Sequence, residues 1–564
     1  MTNQRGITVS SSISTIVEEI LTNRLMETIN FSQFQAAGKK GSSTTDHVFT
    51  LKAVISLAIK TGKELFVTFY DIKKAFDRAD MDDMLCAVNE HGFTGKAWRL
   101  TKSLNKNLTA KVKTKAGMTR EIKRITGGKQ GGKTMVPLFS FTMDTLYADL
   151  SIHTDLGVTF EHLTIPGLEY MDDVATFSVG RRQQEKTLNA LNEFSIKRKL
   201  EWGVQKCKVM EIGGGKRKEK WRLGAKTIES CRTYKYLGEE ISIDGKNSEN
   251  LTDRMKKVKS AVMATMTCGR SAVMRKIETS ILLKLHETVT LPTLLFNAET
   301  WDINNSDRKE IDRMELWALK QMFGLPITTP TPAIIFATGT MYASVRVDIK
   351  RLNYLHKLLQ KENENWARMT LNLMDKNNVG WAKSIKTTLQ SWGLEEQWNI
   401  IAQKTQGEWK REVEEAAEKI NKERLKTDCL VMERGNLRAK TKSKTILKEI
   451  ERPDFKRKPL DIMNYGSAVV TRALIMGRYG MLKCKSNFSC GNGRKLCDVC
   501  GSIDDEDHRI NYCVVYQSIN RCNSESKIDF NCIYSDDLNE SLKVVKIVLG
   551  LWDLGNGRNE MRDS

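Results

Sequence analysis

No apolar run in this chain approaches the ~18 residues that a membrane-spanning helix needs, so no contact with a membrane is expected. The start, Met1-Thr2-Asn3-Gln4-Arg5, is polar and lacks the apolar core of a secretory signal. Histidine is scarce, at seven in 564 residues, so a histidine at metal-ligand spacing is informative. Proline is also scarce, with eight residues, and Pro292, Pro326, Pro330 and Pro332 interrupt a pattern from about 248 to 430 that is otherwise mainly helical. The twelve cysteines are scattered, not packed at disulfide density. That usage implies a reducing compartment, nucleus or cytoplasm, with any clustered cysteine bound to metal. Acidic residues are the main deficit. Asp plus Glu number 69 against 90 Lys plus Arg, giving a net charge of +21. Such an excess points to a polyanion, most often nucleic acid, with a solvated basic surface as the plain alternative. Apolar residues at 40% and charged residues at 28% exclude a disordered chain. The length suggests two to four domains.

Two adjacent acids stand out against that basic background. Tyr170-Met171-Asp172-Asp173 lies between the β-prone stretches Gly167-Leu168-Glu169 and Val174-Ala175-Thr176-Phe177, so the acid pair is expected at a hairpin tip. Neighbouring like charges gain nothing by packing and make sense around a divalent cation. An ordinary acidic turn in solvent is the alternative. A third acid, Asp71, closes the β-prone run 65–72, which is expected to be a buried strand. A carboxylate there is paired, binds metal, or caps the helix expected from Lys73 to about Gly92.

Two helices are expected earlier. The first carries Ile13, Ile16, Val17, Ile20 and Leu21; the second has a Thr44 or Thr45 cap, an apolar face from Val48 to Ile59 and a stop at Gly62. Another is expected through Leu188, Leu191 and Phe194, ending near Trp202-Gly203, before a strand over Val204–Met210. Gly127-Gly128-Lys129-Gln130-Gly131-Gly132-Lys133-Thr134 fits the phosphate-loop pattern G-x-x-x-x-G-K-[ST]. Its preceding run, Arg120–Ile125, is half polar and suits an exposed hairpin better than the apolar strand such a loop requires. Near the end, Cys497-Asp498-Val499-Cys500 is followed by His508 and Cys513. Three thiolates and one imidazole form a closed tetrahedral Zn²⁺ set, for which Cys484 and Cys490 could compete.

Nucleotidyl transfer needs two divalent cations ~3.5–4 Å apart, held by carboxylates from separate strands. Asp71, Asp172 and Asp173 supply these if their strands are neighbours. In this order the motifs resemble the reverse transcriptases of non-LTR retrotransposons, from about Arg5 to about Leu358. The matching residues are Phe69-Tyr70-Asp71-Ile72-Lys73-Lys74-Ala75-Phe76-Asp77, Gln130-Gly131 with Leu138-Phe139, Tyr170-Met171-Asp172-Asp173, Lys206-Cys207, Tyr236-Leu237-Gly238 and Leu291–Trp301. The resemblance implies an α+β right-hand polymerase with fingers, palm and thumb and an antiparallel palm sheet, and it implies RNA-directed DNA polymerase activity. Asp71, Asp172 and Asp173 would hold two Mg²⁺. Phe76 would crowd the sugar 2′-position and favour dNTPs. Gln130, Gly131 and Tyr170 would lie beside incoming nucleotide and template. Lys206 would donate a proton to pyrophosphate, and Arg5 would pair with triphosphate oxygens. An RNA template and a DNA primer or target are the implied partners, and the Cys/His module would grip nucleic acid.

The implied division is partial fingers over 1–64, palm over 65–245, a thumb-like region over 246–360, a helical and basic connector over 361–480, a zinc knuckle over 481–525 and a tail over 526–564. Departures from the family are also visible. Gly132-Lys133-Thr134-Met135 stands where Pro and Ser usually follow Gln-Gly. The fingers begin late, and no endonuclease domain is expected. A truncated nucleic-acid-binding remnant and, less favoured, a nucleotide hydrolase built on Gly127–Thr134 are the alternatives.

Overall fold

A computed structural model describes residues 8–433 and 446–452 together with Ile475, apart from residues 40, 107, 116, 124–126, 130, 152–155, 214–219 and 268–276. The chain divides into two compact units. One comprises the chain up to Asn250 with Glu299–Ile303 and Tyr354–Thr387; the other comprises Leu251–Ala298, Asn304–Asn353 and the chain from Thr388 onward. Among the described residues no helix is long and apolar enough to cross a membrane.

In chain order the first unit carries α1 (Ser12–Thr28), α2 (Thr44–Thr61), β1 (Leu65–Tyr70), α3 (Ala75–Arg78), α4 (Met81–Glu90) and α5 (Gly95–Asn105). There follow β2 (Thr109–Ala110), β3 (Lys113–Thr114), β4 (Gly117–Met118), β5 (Ile122–Lys123) and α6 (Met135–Ser151). After these come β6 (Val158–Phe160), β7 (Leu163–Ile165), β8 (Gly167–Tyr170), β9 (Asp173–Ser178), α7 (Gly180–Lys197), β10 (Lys208–Ile212), β11 (Lys220–Leu223), β12 (Lys226–Cys231), β13 (Thr233–Tyr236) and β14 (Glu239–Ser242).

The main sheet has six strands in the order β11-β12-β10-β1-β9-β8. All neighbours are antiparallel except β10 and β12, which run parallel. The expected antiparallel sheet is therefore mixed at one pair. β1 is central, and all six of its residues are buried. Its alternation is still legible. Thr68 accepts a hydrogen bond from Gln184 of α7 at 2.6 Å, whereas the ring of Phe69, its neighbour, stacks on Tyr234 with centroids 4.1 Å apart.

α2 matches the expected helix closely. The Ser43 hydroxyl accepts from the Asp46 N–H, one residue before the expected cap, and Gly62 ends the helix in a left-handed conformation. The helix expected from Lys73 to Gly92 is instead two, α3 and α4, because the Asp80 carboxylate caps a new start by accepting from the N–H groups of Asp82 and Asp83. α1 buries a different face from the one its isoleucines mark. Leu21 and Leu25 are inside, while Ile13, Ile16 and Ile20 are exposed. Glu18, which is 1% exposed, lies on the inner face with the leucines.

β14 holds the first unit to its later segments through one acid. Glu239 is fully buried, and its Oε1 accepts from Lys52 Nζ at 2.7 Å, Trp301 Nε1 at 2.8 Å and Asn250 Nδ2 at 2.9 Å. Trp381 donates to the Glu299 carbonyl at 2.9 Å, and its ring meets Phe49 edge-on. In the second unit buried ion pairs recur. Asp348 is bound by Arg308 and Arg351, and Asp312 by Arg424 and Ser344. Removing one partner of a buried pair leaves an uncompensated charge and costs about 3–5 kcal/mol. Glu239→Ala should therefore destabilise the first unit by about 3 kcal/mol, read as a lower denaturant midpoint, whereas the same change at the exposed Glu229 should leave the midpoint within error.

Candidate active site

The acids are brought together by strand pairing. β1 lies antiparallel to β9, with Tyr70 opposite Val174. Asp71 follows β1 and Asp173 opens β9, so the two sit one step beyond that last pair, at the same end of adjacent strands. β8 and β9 form the expected hairpin, with Tyr170 opposite Asp173 and Met171-Asp172 as its tip. Met171 takes a left-handed φ of 58°, which closes the turn. Asp71 and Asp172 are half-buried and Asp173 is exposed, so all three are reachable from solvent. Asp71 caps no helix; Lys74 stands at the cap of α3 and makes no side-chain bond there.

The turn after α7 encloses Asp71. The helix ends at Lys197, earlier than its apolar pattern suggested, because Lys199 reverses the chain in a left-handed conformation (φ 53°). Strand β10 also starts late. Residues 203–207 form a turn in which the Gly203 carbonyl accepts from the N–H groups of Lys206, at 2.7 Å, and Cys207. Gly203 donates its own N–H to the Asp71 carbonyl at 2.6 Å. A Cβ at residue 203 would lie 2.6 Å from Asp71 Oδ2, closer than real contacts allow, so only glycine leaves the carboxylate in place. Lys206 Nζ meets Asp71 Oδ1 at 3.0 Å. Burial pushes the Cys207 thiol up to about 11. Burial likewise raises the Tyr234 phenol, helped by the charges of Asp173 and Asp71.

The hairpin tip has its own clamp. Gln35 is 1% exposed. Its Oε1 accepts from Ala37 N at 2.8 Å and Met171 N at 3.3 Å, and its Nε2 donates to the Ser140 carbonyl and to Glu169 Oε1. The backbone on either side of Gln35 adds to the edge of β8, with Ala36 N bonded to the Glu169 carbonyl and Glu169 N to the Phe34 carbonyl. Complete burial, then the nearby Asp144 charge, raise the Glu169 carboxyl well above the usual range.

The glycine loop is tied down on both flanks. Gly127 N donates to the Ala79 carbonyl and Gly128 N to the Phe76 carbonyl. The Phe76 ring is half-buried against Phe139, centroids 5.1 Å apart. Buried Lys129 pairs with Glu18 Oε1 at 2.9 Å, while Glu18 Oε2 accepts from the Lys133 amide at 2.9 Å. This explains the inward Glu18, and it counts against a phosphate loop. A carboxylate holds the amide an anion would need, and the preceding β5 is a two-residue exposed strand, as its polarity suggested. Gly131 is exposed in a left-handed turn (φ 107°). Gln130, Arg5, Cys497, Cys500, His508 and Cys513 lie outside the described residues.

Oxygen donors from three acids suit a hard divalent cation. Among the described residues, no three acid, imidazole or thiol groups are drawn onto one point. Asp71, Asp172 and Asp173 share an end of the sheet without converging. Sequence reading did not single out Gly203 or Gln35 for the site. The sequence marks Gly203 only as the end of the helix expected before it.

Residues 1–241 match the family described as "Reverse transcriptase (RNA-dependent DNA polymerase)". This stretch, less than half of the chain, is similar to that family. No curated protein matches the chain significantly. Similar solved structures include telomerase from Candida albicans in complex with a TWJ fragment of telomeric RNA, at 12% identity and TM-score 0.35, covering 71% of this chain and 56% of that one. Apo telomerase from Candida tropicalis truncated from the C-terminal domain has 16% identity and TM-score 0.29, covering 42% and 44%. Apo telomerase from Candida tropicalis has 14% identity and TM-score 0.33, covering 71% and 60%. This chain thus spans less than two thirds of each telomerase, and at such scores the likeness assigns it neither a substrate nor a partner.

Gly203→Ala should displace the Asp71 carboxylate. A misplacement near 1 Å can cost on the order of 10²-fold in rate. In the nucleotide addition proposed below, the expected result is a fall of that order in the rate constant, with template KM and melting temperature unchanged. An unchanged rate constant would show that Gly203 does not position Asp71.

Proposed function

We propose that the chain is the RNA-directed DNA polymerase of a non-LTR retrotransposon, adding dNTPs to a primer 3′-hydroxyl on an RNA template. The observation that carries this reading is the placement of Asp71 and Asp173 at one end of the paired strands β1 and β9, with Asp172 beside them. These three carboxylates would hold two Mg²⁺, whose charge activates the primer hydroxyl and neutralises the triphosphate. Lys206 now neutralises Asp71. Released from it, the ammonium can hold the proton that leaves with pyrophosphate. Phe76, whose ring lies against Phe139, would crowd the sugar 2′-position. Gly131, Gln130 and Tyr170 would face the nucleotide and template, and Arg5 the triphosphate. Cys497, Cys500, His508 and Cys513 would hold structural Zn²⁺ in a module that grips nucleic acid. The proposed division into fingers, palm, thumb-like region, connector, knuckle and tail accompanies this reading.

Primer extension on an RNA template with Mg²⁺ tests it. Wild type should extend, and Asp172→Asn should lose at least about 10³-fold of the rate, as loss of a group essential to catalysis commonly does, while template binding is kept. Activity surviving Asp172→Ala would overturn the site. Salt-dependent binding without extension in wild type would favour the non-catalytic remnant. Phe76→Ala should raise use of rNTPs relative to dNTPs by about tenfold or more, since a steric gate discriminates by 1–3 kcal/mol. An unchanged ratio would remove Phe76 from the sugar pocket.

A further inference from the structure

Between α5 and the glycine loop the chain makes one long hairpin. β2 pairs with β5, Thr109 opposite Lys123, and β3 pairs with β4, Lys113 opposite Met118. Val112 and Thr119 join the two halves through the Thr119 N–H and hydroxyl. Every described residue from Thr109 to Lys123 is exposed, so no core explains the ribbon. Residues 109–123 hold four lysines and one arginine against one glutamate, a net +4, where the whole 564-residue chain carries +21.

The charge is sorted by side. Lys111 and Lys113 follow Thr109 in two-residue steps, which places them on its side of the ribbon. Lys123, opposite Thr109, shares that side, and Lys115 sits at the turn. Met118, opposite Lys113 and 62% exposed, is the apolar exception on the lysine side, and the other side presents Ala110, Val112 and Ile122, the last two each 51% exposed. None of these lysines forms an ion pair among the described residues, although exposed lysines elsewhere in this unit commonly do. Two residues of strand advance about 6.7 Å, so lysines two apart along the ribbon are spaced to reach separate phosphates of one backbone.

We propose that the lysine side of the Thr109–Lys123 ribbon docks on the phosphodiester backbone of the template–primer duplex. The docking follows from the charge and spacing. Only the choice of an RNA–DNA hybrid as the duplex rests on the polymerase reading.

The test uses the full chain and fluorescence anisotropy across a KCl series, with labelled RNA–DNA hybrid, duplex DNA and single-stranded RNA as probes. The triple variant Lys111→Ala, Lys113→Ala, Lys123→Ala should reduce the log–log salt slope for hybrid by about 2–3, because each phosphate that a lysine neutralises contributes ~0.7–0.9 to it. Its melting temperature should match wild type, since all three side chains are exposed. The charge control is Lys60→Ala, Lys357→Ala, Lys383→Ala, also exposed, which should leave the slope unchanged. Asp172→Asn should likewise keep the slope while abolishing synthesis, so failure of the catalytic assignment and failure of the ribbon assignment give different results. Three outcomes would overturn the proposal. The slope could stay at the wild-type value, or the control could lower it equally. The variant could also aggregate with affinity intact, which would mean the lysines only guard an exposed strand edge. A larger effect on duplex DNA or single-stranded RNA than on hybrid would overturn the choice of duplex.

Discussion

Everything at the site depends on where the central strand stops. β1 is buried along its whole length and hydrogen-bonded on both sides, so its last residue is fixed from two directions. Asp71 comes one residue later, where the sheet meets solvent. It is held by its own carbonyl through the Gly203 amide and by its carboxylate through Lys206. Concentrating acids at one sheet end is electrostatically unfavourable unless positive charge is supplied. Here a lysine supplies part of it, and in the proposed reaction metal ions would supply the rest.

The supports on the two sides of the site differ in kind. Asp71 is placed by a missing side chain and a backbone amide. The hairpin tip is placed by a buried amide side chain, Gln35, that bonds the N–H of Met171, a residue in a left-handed conformation. The first arrangement tolerates no added volume; the second tolerates no loss of hydrogen-bonding capacity. Both come from chain segments remote in sequence from the acids they position, at residues 203 and 35.

Much of this was legible in the residue order. The β1 run, the α2 helix with its glycine stop, the hairpin around Tyr170–Asp173 and the exposed polar strand before the glycine loop all follow from local periodicity and turn chemistry. What was not legible depends on partners distant in the chain. The inward face of α1 is set by Glu18, drawn to Lys129 and the Lys133 amide, and not by its isoleucines. The break between α3 and α4 follows from the Asp80 cap, a local signal outweighed by a continuous helical pattern. The parallel pairing of β10 with β12 is a matter of topology that side-chain alternation does not encode. Gly203 reads in the sequence as a helix stop, which hides the space that it leaves for the Asp71 carboxylate.

The short bridge at Gln35 also has a consequence for the sheet as a whole. Phe34, Gln35 and Ala36 lie along β8, the last strand on that side, and take up the N–H and carbonyl of Glu169 that would otherwise face outward. An open strand edge invites pairing with another chain. The segment that steadies the acid-bearing turn therefore also occupies hydrogen-bonding groups at the sheet's edge that another strand could otherwise take.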